Sequence, residues 1–416
     1  MAPTPRLLLL GATGDLAGRF LLPALARLHD AGRLPPGLQV LAAGPQAWDD
    51  AAFREHARAR LEGLVPEPAQ RALLAALSYR RVDLTDPATL ASVVVGPGPL
   101  SVYLALPPAL FPVALAGLAD CALPPGSRVA VEKPFGEDLA GAQRLNALLA
   151  RLPGAYRVDH VLAMPTVQDL AGLRAPGGPL APRVDGAGLA RVDVLWEETL
   201  ALEGRADFYD RAGAVRDVVQ NHLLQVLALV AMEPPTGGRD LADRKVEALR
   251  AARVVGPGVR GRYTAGRLAG GAPVPDYAQE RGVDPARGTE TFAELVLEVD
   301  LPRWAGTRFV LRAGKALEAD RKGVLLHLRA PLDRAGQGPA DPVWLELDGP
   351  GDTDRPDGEL AAYVEVLGEL LSGGSDRSVR GDEAEQAWRV VEPVLAQWAA
   401  GAAPLRDYPA GTAGPG

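Results

Sequence analysis

Only one of the 416 residues is a cysteine, Cys121, which excludes an internal disulfide and a thiolate metal cluster and fits a reducing compartment. Histidine is sparse as well. His29, His56, His160, His222 and His327 show no HExxH or comparable ligand spacing, so no metal is expected. No block of basic residues interrupts the formal net charge of -8, which argues against nucleic acid or an anionic membrane surface as the main partner. Long apolar runs are missing too. The longest, LLQVLALVAM, is far too short to span a bilayer. The apolar start RLLLLGATGD breaks at Gly11 and meets an acidic residue at once, unlike a secretory signal. A cytoplasmic location is the expectation.

What is present is an ordinary globular composition, 47% hydrophobic and 23% charged, on a chain long enough for two domains. Residues 6–10 (RLLLL) read as a buried strand, GATGDLAGRF as a turn, and LLPALARLH as the start of a helix with apolar residues at helical spacing. LQVLAAG, a helix through Ala51 to Gly63, SVYLALPP, RVAVEKP and YRVDHVL continue the alternation. Strands alternating with helices predict a Rossmann-like α/β domain, a doubly wound parallel sheet over 1–165 that binds ligands beyond the carboxyl ends of its strands. After about Leu170 the strand-like segments ARVDVLWEETLALEG, TFAELVLEVD, RFVLRAGKA, GVLLHLRA and PVWLELDG predict an α+β domain with a large antiparallel sheet over 166–416. Helical segments interrupt it, notably Ala214 to Met232. EAEQAWRVVEPVLAQW reads as an amphipathic helix, and DRAGQGPADP as a Pro/Gly-rich loop.

Gly11 and Gly14 stand where the first strand meets the first helix. Such a turn lets the backbone approach a pyrophosphate while the helix N-terminus offers amide donors, with Thr13 and Asp15 adding polar groups. The spacing is GxxGD, not GxGxxG. Cofactor choice turns on the end of the second strand, where an acid favours a ribose hydroxyl and an arginine a ribose phosphate. Pro45 and Gln46 occupy that place. Gln46 can bond a hydroxyl, whereas Asp49 and Asp50 are expected to begin the next helix.

Four segments carry polar residues that packing does not require: VEKPFG, YRVDHVL, RAGAVRDVVQNHLLQ and RAGKALEADRK. Together with GATGDLA, LALPP, TETFAELVLEVD, RWAG and YPAG, in this order, they resemble the glucose-6-phosphate dehydrogenase family over nearly the whole chain. Oxidising a sugar at its anomeric carbon needs a base for the hydroxyl proton, and neutral imidazole suits that role near pH 7. The resemblance implies His222 as the base and Asp159 as the carboxylate that orients it. It implies Lys133 in contact with substrate and cofactor, and His160, Glu198, Asp217, Lys315 and Arg321 on the sugar phosphate. For the cofactor, NADP or NAD, it implies Gly11, Thr13, Gly14, Asp15, Leu16, Arg19, Gln46, Pro107 and Lys133. It also implies a homo-oligomer, dimer or tetramer. On an ideal α-helix Asp217 and His222, five residues apart, would stand about 140° apart.

The pattern departs from the family in three places. Val161 and Met164 replace a tyrosine and a lysine that grip the sugar phosphate. Losing one charge-assisted bond of about 1.5 to 3 kcal/mol weakens phosphate binding roughly ten- to a hundredfold unless another cation compensates. Pro45 replaces an arginine, and Phe20 a basic residue, which predicts weakened NADP preference with NAD or dual use. Between GVLLHLRA and ELAAYVEVL the chain is shorter than the family norm. Three rivals therefore stay open: a dehydrogenase of a nonphosphorylated or modified sugar, a member of the wider sugar and inositol dehydrogenase superfamily, and a noncatalytic cofactor-binding paralogue.

Overall fold

The computed structural model describes residues 4–170, 172, 183–202, 204, 206–234, 240–268, 270–329, 341–347 and 358–416. All but the last two residues of the DRAGQGPADP loop lie outside the described residues. The chain forms two compact units, Met1–Met164 with Gly351–Gly381, and Pro165–Pro350 with Asp382–Gly416.

In the first unit, six strands form one sheet: β1 (Arg6–Leu10), β2 (Gln39–Gly44), β3 (Leu77–Arg81), β4 (Leu100–Leu104), β5 (Arg128–Glu132) and β6 (Ala155–Val158). Their order is β3-β2-β1-β4-β5-β6, and every pairing is parallel. Leu7 to Leu10, Val102 to Leu104 and Val129 to Val131 are buried, as strands covered on both faces must be. The order reverses at β1, which places the ligand crevice beyond the carboxyl ends of β1 and β4. β3 escapes the sequence pattern because its segment LSYRR ends in two exposed arginines. It is an edge strand with a thin apolar signal. Helix Gly358–Ser372 also belongs to this unit, where it packs on helix Leu22–Asp30 and the turn His160–Ala163.

The second unit is built on an eight-stranded sheet. In chain order its strands are β7 (Leu189–Glu197), β8 (Ala252–Val254) and β9 (Val259–Thr264), then, past a short two-stranded ribbon, β10 (Gly266–Arg267) with β11 (Pro273–Val274), come β12 (Phe292–Val299), β13 (Arg308–Gly314), β14 (Arg321–Leu328), β15 (Val343–Glu346) and β16 (Leu405–Pro409). The main order is β15-β14-β7-β13-β12-β9-β16, with β8 also on β12. Most pairings are antiparallel, as expected, but β7 runs parallel to β13 and β16 parallel to β9. The sheet is therefore mixed. Neither parallel pair is joined by a tight turn, and only a tight turn obliges neighbouring strands to run in opposite directions.

The closing helix, Gly381–Ala399, buries Ala384, Ala387, Trp388, Val391, Val394 and Trp398 along one stripe, the period read from the sequence. Within this unit Lys245 and Glu383 form a buried ion pair at 2.6 Å, joining that helix to Leu241–Ala251. Among the described residues no helix is long and apolar enough to cross a membrane.

Candidate functional site

Beyond β1 the backbone turns sharply at Gly11, whose φ is +85°. The Gly11 and Ala12 amides both donate to the Ala43 carbonyl, at 2.9 and 3.0 Å. A Cβ on Gly11 would lie 2.2 Å from the Ala105 carbonyl oxygen, so only glycine lets the turn close against the β4 end. Gly14 and Asp15 are exposed at the start of the following helix. Leu16 and Ala17 continue it inward. Arg19 pairs with Asp15 at 3.4 Å, both side chains exposed. Pro107 is exposed just past β4. These residues fit a dinucleotide: Gly11 and Gly14 add no side chain at the turn, and the helix that begins at Asp15 has its N-terminus there.

At the β2 end, Thr13 donates to the Gln46 side-chain oxygen at 2.9 Å, and the Tyr79 hydroxyl donates to the Gln46 carbonyl at 3.0 Å. Gln46 is therefore held at the rim of the crevice. Asp49 caps the next helix through the Ala52 amide at 2.8 Å, and Asp50 accepts from the Tyr79 amide at 2.7 Å. Both acids serve local structure, as the sequence indicated.

Lys133 follows β5 directly, with a cis peptide to Pro134, and Asp159 follows β6. Asp159 is buried and caps the turn His160–Ala163 through the Val161 amide at 3.2 Å. His160 stacks on Tyr363, ring centroids 5.5 Å apart, and Tyr363 stacks in turn on Phe20 at 5.0 Å. Phe20, which stands where the family carries a basic residue, thus completes an aromatic column. Val161 and Met164 are buried apolar groups here, so neither position offers a ligand to an anion.

Sequence reasoning missed Glu132 and its two tyrosines. Glu132 is buried and accepts from the Tyr103 hydroxyl. Its carboxyl is pushed up to about 7, chiefly by burial; Tyr103, Lys133 and Tyr363 pull it back, and the charge of Asp159 adds to the rise. A carboxyl raised in the folded state favours folding below its ordinary range and loses that contribution as pH rises through about 7. Glu132→Gln stays neutral, so the stability of wild type relative to this variant should fall between pH 5 and 7.5 by on the order of 3 kcal/mol. Denaturant unfolding at several pH values reads the difference, and a flat one would contradict the burial argument.

In the second unit the expected helical run over Ala214 to Met232 is present as two consecutive segments, Val215–Leu223 and Leu224–Ala231, and a break just before it marks its start. Gly213 has φ +69°, and a Cβ there would meet Glu290 at 2.5 Å. Glu290 instead accepts from the Val215 amide at 3.0 Å and so caps a new helical segment. Its own carboxyl is raised, by burial above all. The capped segment is a π-helix, Val215–Leu223. The Asn221 side chain enters its ladder, donating to the Arg216 carbonyl at 3.1 Å and accepting from the His222 amide at 2.7 Å. Bonding from i to i+5 brings residues five apart onto about one face. The 140° expected between Asp217 and His222 on an α-helix therefore does not hold, and both face the same way.

His222 is buried, its ring 5.4 Å from that of Trp196 on β7. Just past the end of β7, Glu198 accepts from Lys315 at 2.6 Å. The Lys315 ammonium lies 5.5 Å from the centre of the Tyr209 ring. Burial, then the charge of Asp217 and further acids including Glu198, hold the Tyr209 hydroxyl well above its ordinary range. Glu198, Asp217 and Lys315 thus gather around Tyr209, a residue that no sequence pattern singles out. Arg321 lies elsewhere. It pairs with Glu197, which also meets Arg312 at 3.4 Å, on the opposite side of the strand from Trp196. Its neighbour Lys322 stands across from Trp196 in the register, with its ammonium 5.0 Å from the indole centre.

Comparison with known proteins agrees with the sequence reading. A family model described as the glucose-6-phosphate dehydrogenase NAD binding domain matches residues 8–169, and the C-terminal domain of the same family matches 180–337 and 337–416. The chain is 32% identical to glucose-6-phosphate 1-dehydrogenase of Zymomonas mobilis over 98% of its length and 95% of that protein's. With glucose-6-phosphate 1-dehydrogenase 1 of Mycobacterium bovis it shares 36%, over 94% of this chain and 89% of the other. The crystal structure of the Mycobacterium avium enzyme of that name superposes with a TM-score of 0.86 at 32% identity, covering 99% of this chain and 95% of the other. A myo-inositol 2-dehydrogenase of Lactobacillus plantarum, at 11% identity and TM-score 0.57, shares the fold alone.

Proposed function

The chain belongs to the glucose-6-phosphate dehydrogenase family, and we propose that it oxidises glucose 6-phosphate at C1 to the lactone with NADP or NAD as hydride acceptor. The observation that carries this reading is the group of Glu198, Asp217 and Lys315 around Tyr209, with His222 on the same π-helix as Asp217, in the second unit. No packing demand explains two acids, a lysine and an imidazole gathered there.

In this reading His222 takes the proton of the C1 hydroxyl, and the role that the family resemblance gives Asp159 is to orient that imidazole and stabilise its charged form. The nicotinamide, when bound, accepts the hydride from C1. Lys133 bonds the sugar oxygen beside the cofactor, while Glu198 and Asp217 accept from sugar hydroxyls. Lys315, held by Glu198, presents a cation whose position is already fixed. His160, fixed by its stack on Tyr363, meets the phosphate. Arg321 is committed to Glu197, so the cation from that strand on the side of Trp196 is Lys322. Gly11, Thr13, Gly14, Asp15, Leu16, Arg19, Gln46 and Pro107 form the nucleotide crevice. We take the nucleotide-binding portion to be 1–165 and the substrate portion 166–416, in a cytoplasmic homo-oligomer without nucleic acid or membrane partners.

Formation of reduced nicotinamide by the purified protein tests the assignment. Glucose 6-phosphate should be turned over, and unphosphorylated glucose should show a kcat/KM lower by about tenfold or more, the worth of one charge-assisted phosphate bond. Equal or better turnover of glucose would move the substrate class to nonphosphorylated sugars, and no turnover of either with both cofactors would defeat the proposal.

A further inference from the structure

Arg81 closes β3 and pairs in register with Gly44, the last residue of β2. The Val82 amide donates to the Gly44 carbonyl at 2.9 Å, so the two strand ends are fixed side by side. Arg81 thus springs from a point one residue removed from Pro45, on the strand next door. An arginine on the loop after β2 is one way to reach a ribose phosphate, and an arginine from the adjoining strand end is another.

A groove of about 560 Å³ opens here, lined by Trp48, Asp49, Arg54, Tyr79, Arg80 and Arg81 among others. Its three arginines differ in what they already do. Arg54 donates twice to the Leu77 carbonyl, at 3.0 and 2.7 Å, and Arg80 bridges to Asp50 at 3.2 Å and to the Tyr79 carbonyl. Arg81 is exposed, and its charge acts on the Tyr79 hydroxyl and on Asp83. Alternation along β3 puts Arg81 on the Tyr79 side of the strand. The Tyr79 hydroxyl is the group that holds Gln46, which ties the guanidinium to the rim where the ribose of a dinucleotide lies.

We propose that Arg81 receives the ribose 2′-phosphate of NADP, supplying from β3 the cation that Pro45 cannot. This rests on the nucleotide-binding reading of the first unit. Guanidinium suits the task because its planar fork can pair two phosphate oxygens at once. Asp49 and Asp50 line the same groove, but the amide of Ala52 and the pair of Tyr79 and Arg80 engage them. Their residual charge tempers the preference, so the protein binds both cofactors instead of NADP alone.

Equilibrium titration, followed by the fluorescence of Trp48 and its neighbours, gives dissociation constants for NADP, NAD, adenosine 2′,5′-bisphosphate and 5′-AMP. Arg81→Gln should weaken NADP and the bisphosphate about tenfold or more while NAD and 5′-AMP move less than twofold. Arg81→Lys should recover part of the loss. Arg80→Gln, which uncovers part of the Asp50 charge, should lower the NADP to NAD ratio by no more than about threefold, and thermal melts of all variants check that the fold persists. Equal losses for NADP and NAD in Arg81→Gln, an unmoved NADP constant, or a ratio that falls further in Arg80→Gln than in Arg81→Gln would overturn the proposal. Wild type that binds neither dinucleotide would overturn the nucleotide-binding reading with it.

Discussion

Replacing His222 by asparagine should lower kcat by about 10²- to 10⁴-fold with KM for the sugar phosphate changed only a few-fold. The imidazole is placed with care. A glycine ends one helix, Glu290 caps the next, and Asn221 spreads the ladder so that His222 meets Trp196 on the Asp217 side. Asparagine occupies similar space and leaves these supports intact, so the loss would report proton transfer and not packing. Steady-state kinetics with a parallel thermal melt decide the matter. Turnover within a few-fold of wild type, at unchanged melting temperature, would remove His222 from the chemistry.

Gly11→Ala is expected to destabilise the protein by about 2 to 5 kcal/mol and to abolish dinucleotide binding at concentrations that saturate wild type. Two costs combine. An alanine held at φ +85° costs roughly 1 to 2 kcal/mol, and a methyl group pressed to 2.2 Å from the Ala105 carbonyl forces the β4 end to shift at roughly 1 to 3 kcal/mol more. Gly14→Ala makes the control. Its Cβ would meet the Gly11 oxygen at 3.2 Å and its backbone lies outside the left-handed region, so a loss of about 1 kcal/mol or less is expected. Denaturant unfolding of both variants gives the comparison, and cofactor titration is read on Gly11→Ala. Similar behaviour of the two would mean that the turn is not constrained at Gly11.

Much of the fold was legible because it rests on patterns of length and period. RLLLL, SVYLAL and RVAVE are continuous apolar runs, and only a sheet covered on both faces uses them that way. β3 was not legible, because an edge strand ending in Tyr79, Arg80 and Arg81 carries too few apolar residues to stand out. The mixed character of the second sheet was hidden for another reason: strand direction is a property of connections, and those around β7 and β16 are long.

The polar motifs drew attention to His222, Asp217, Glu198 and Lys315, since ordinary packing does not require such residues in buried segments. Their arrangement needed the coordinates. Only the i+5 ladder puts Asp217 beside His222, and no sequence rule signals that Asn221 inserts its amide there. Arg321 and Lys322 illustrate the same limit at a strand start. One residue of register separates the two faces of a sheet, and a motif match alone does not fix that residue. Glu132 gives no signal in the sequence because a lone acid at a strand end reads as exposed, although it is more deeply enclosed than Lys133 beside it.

Tyr363 stacks on both Phe20 and His160, yet it arrives near the end of the chain, in the segment that returns to the first unit after the second has been largely spelled out. During translation the nucleotide fold must therefore wait for residue 381 to leave the ribosome before its aromatic column can close. A nascent chain halted between the two segments would hold a parallel sheet whose His160 turn has no cover, an exposed apolar surface of the kind chaperones recognise. Cutting the gene near residue 165 should accordingly yield an insoluble first half, whereas grafting Gly358–Ser372 behind it through a short linker should restore solubility.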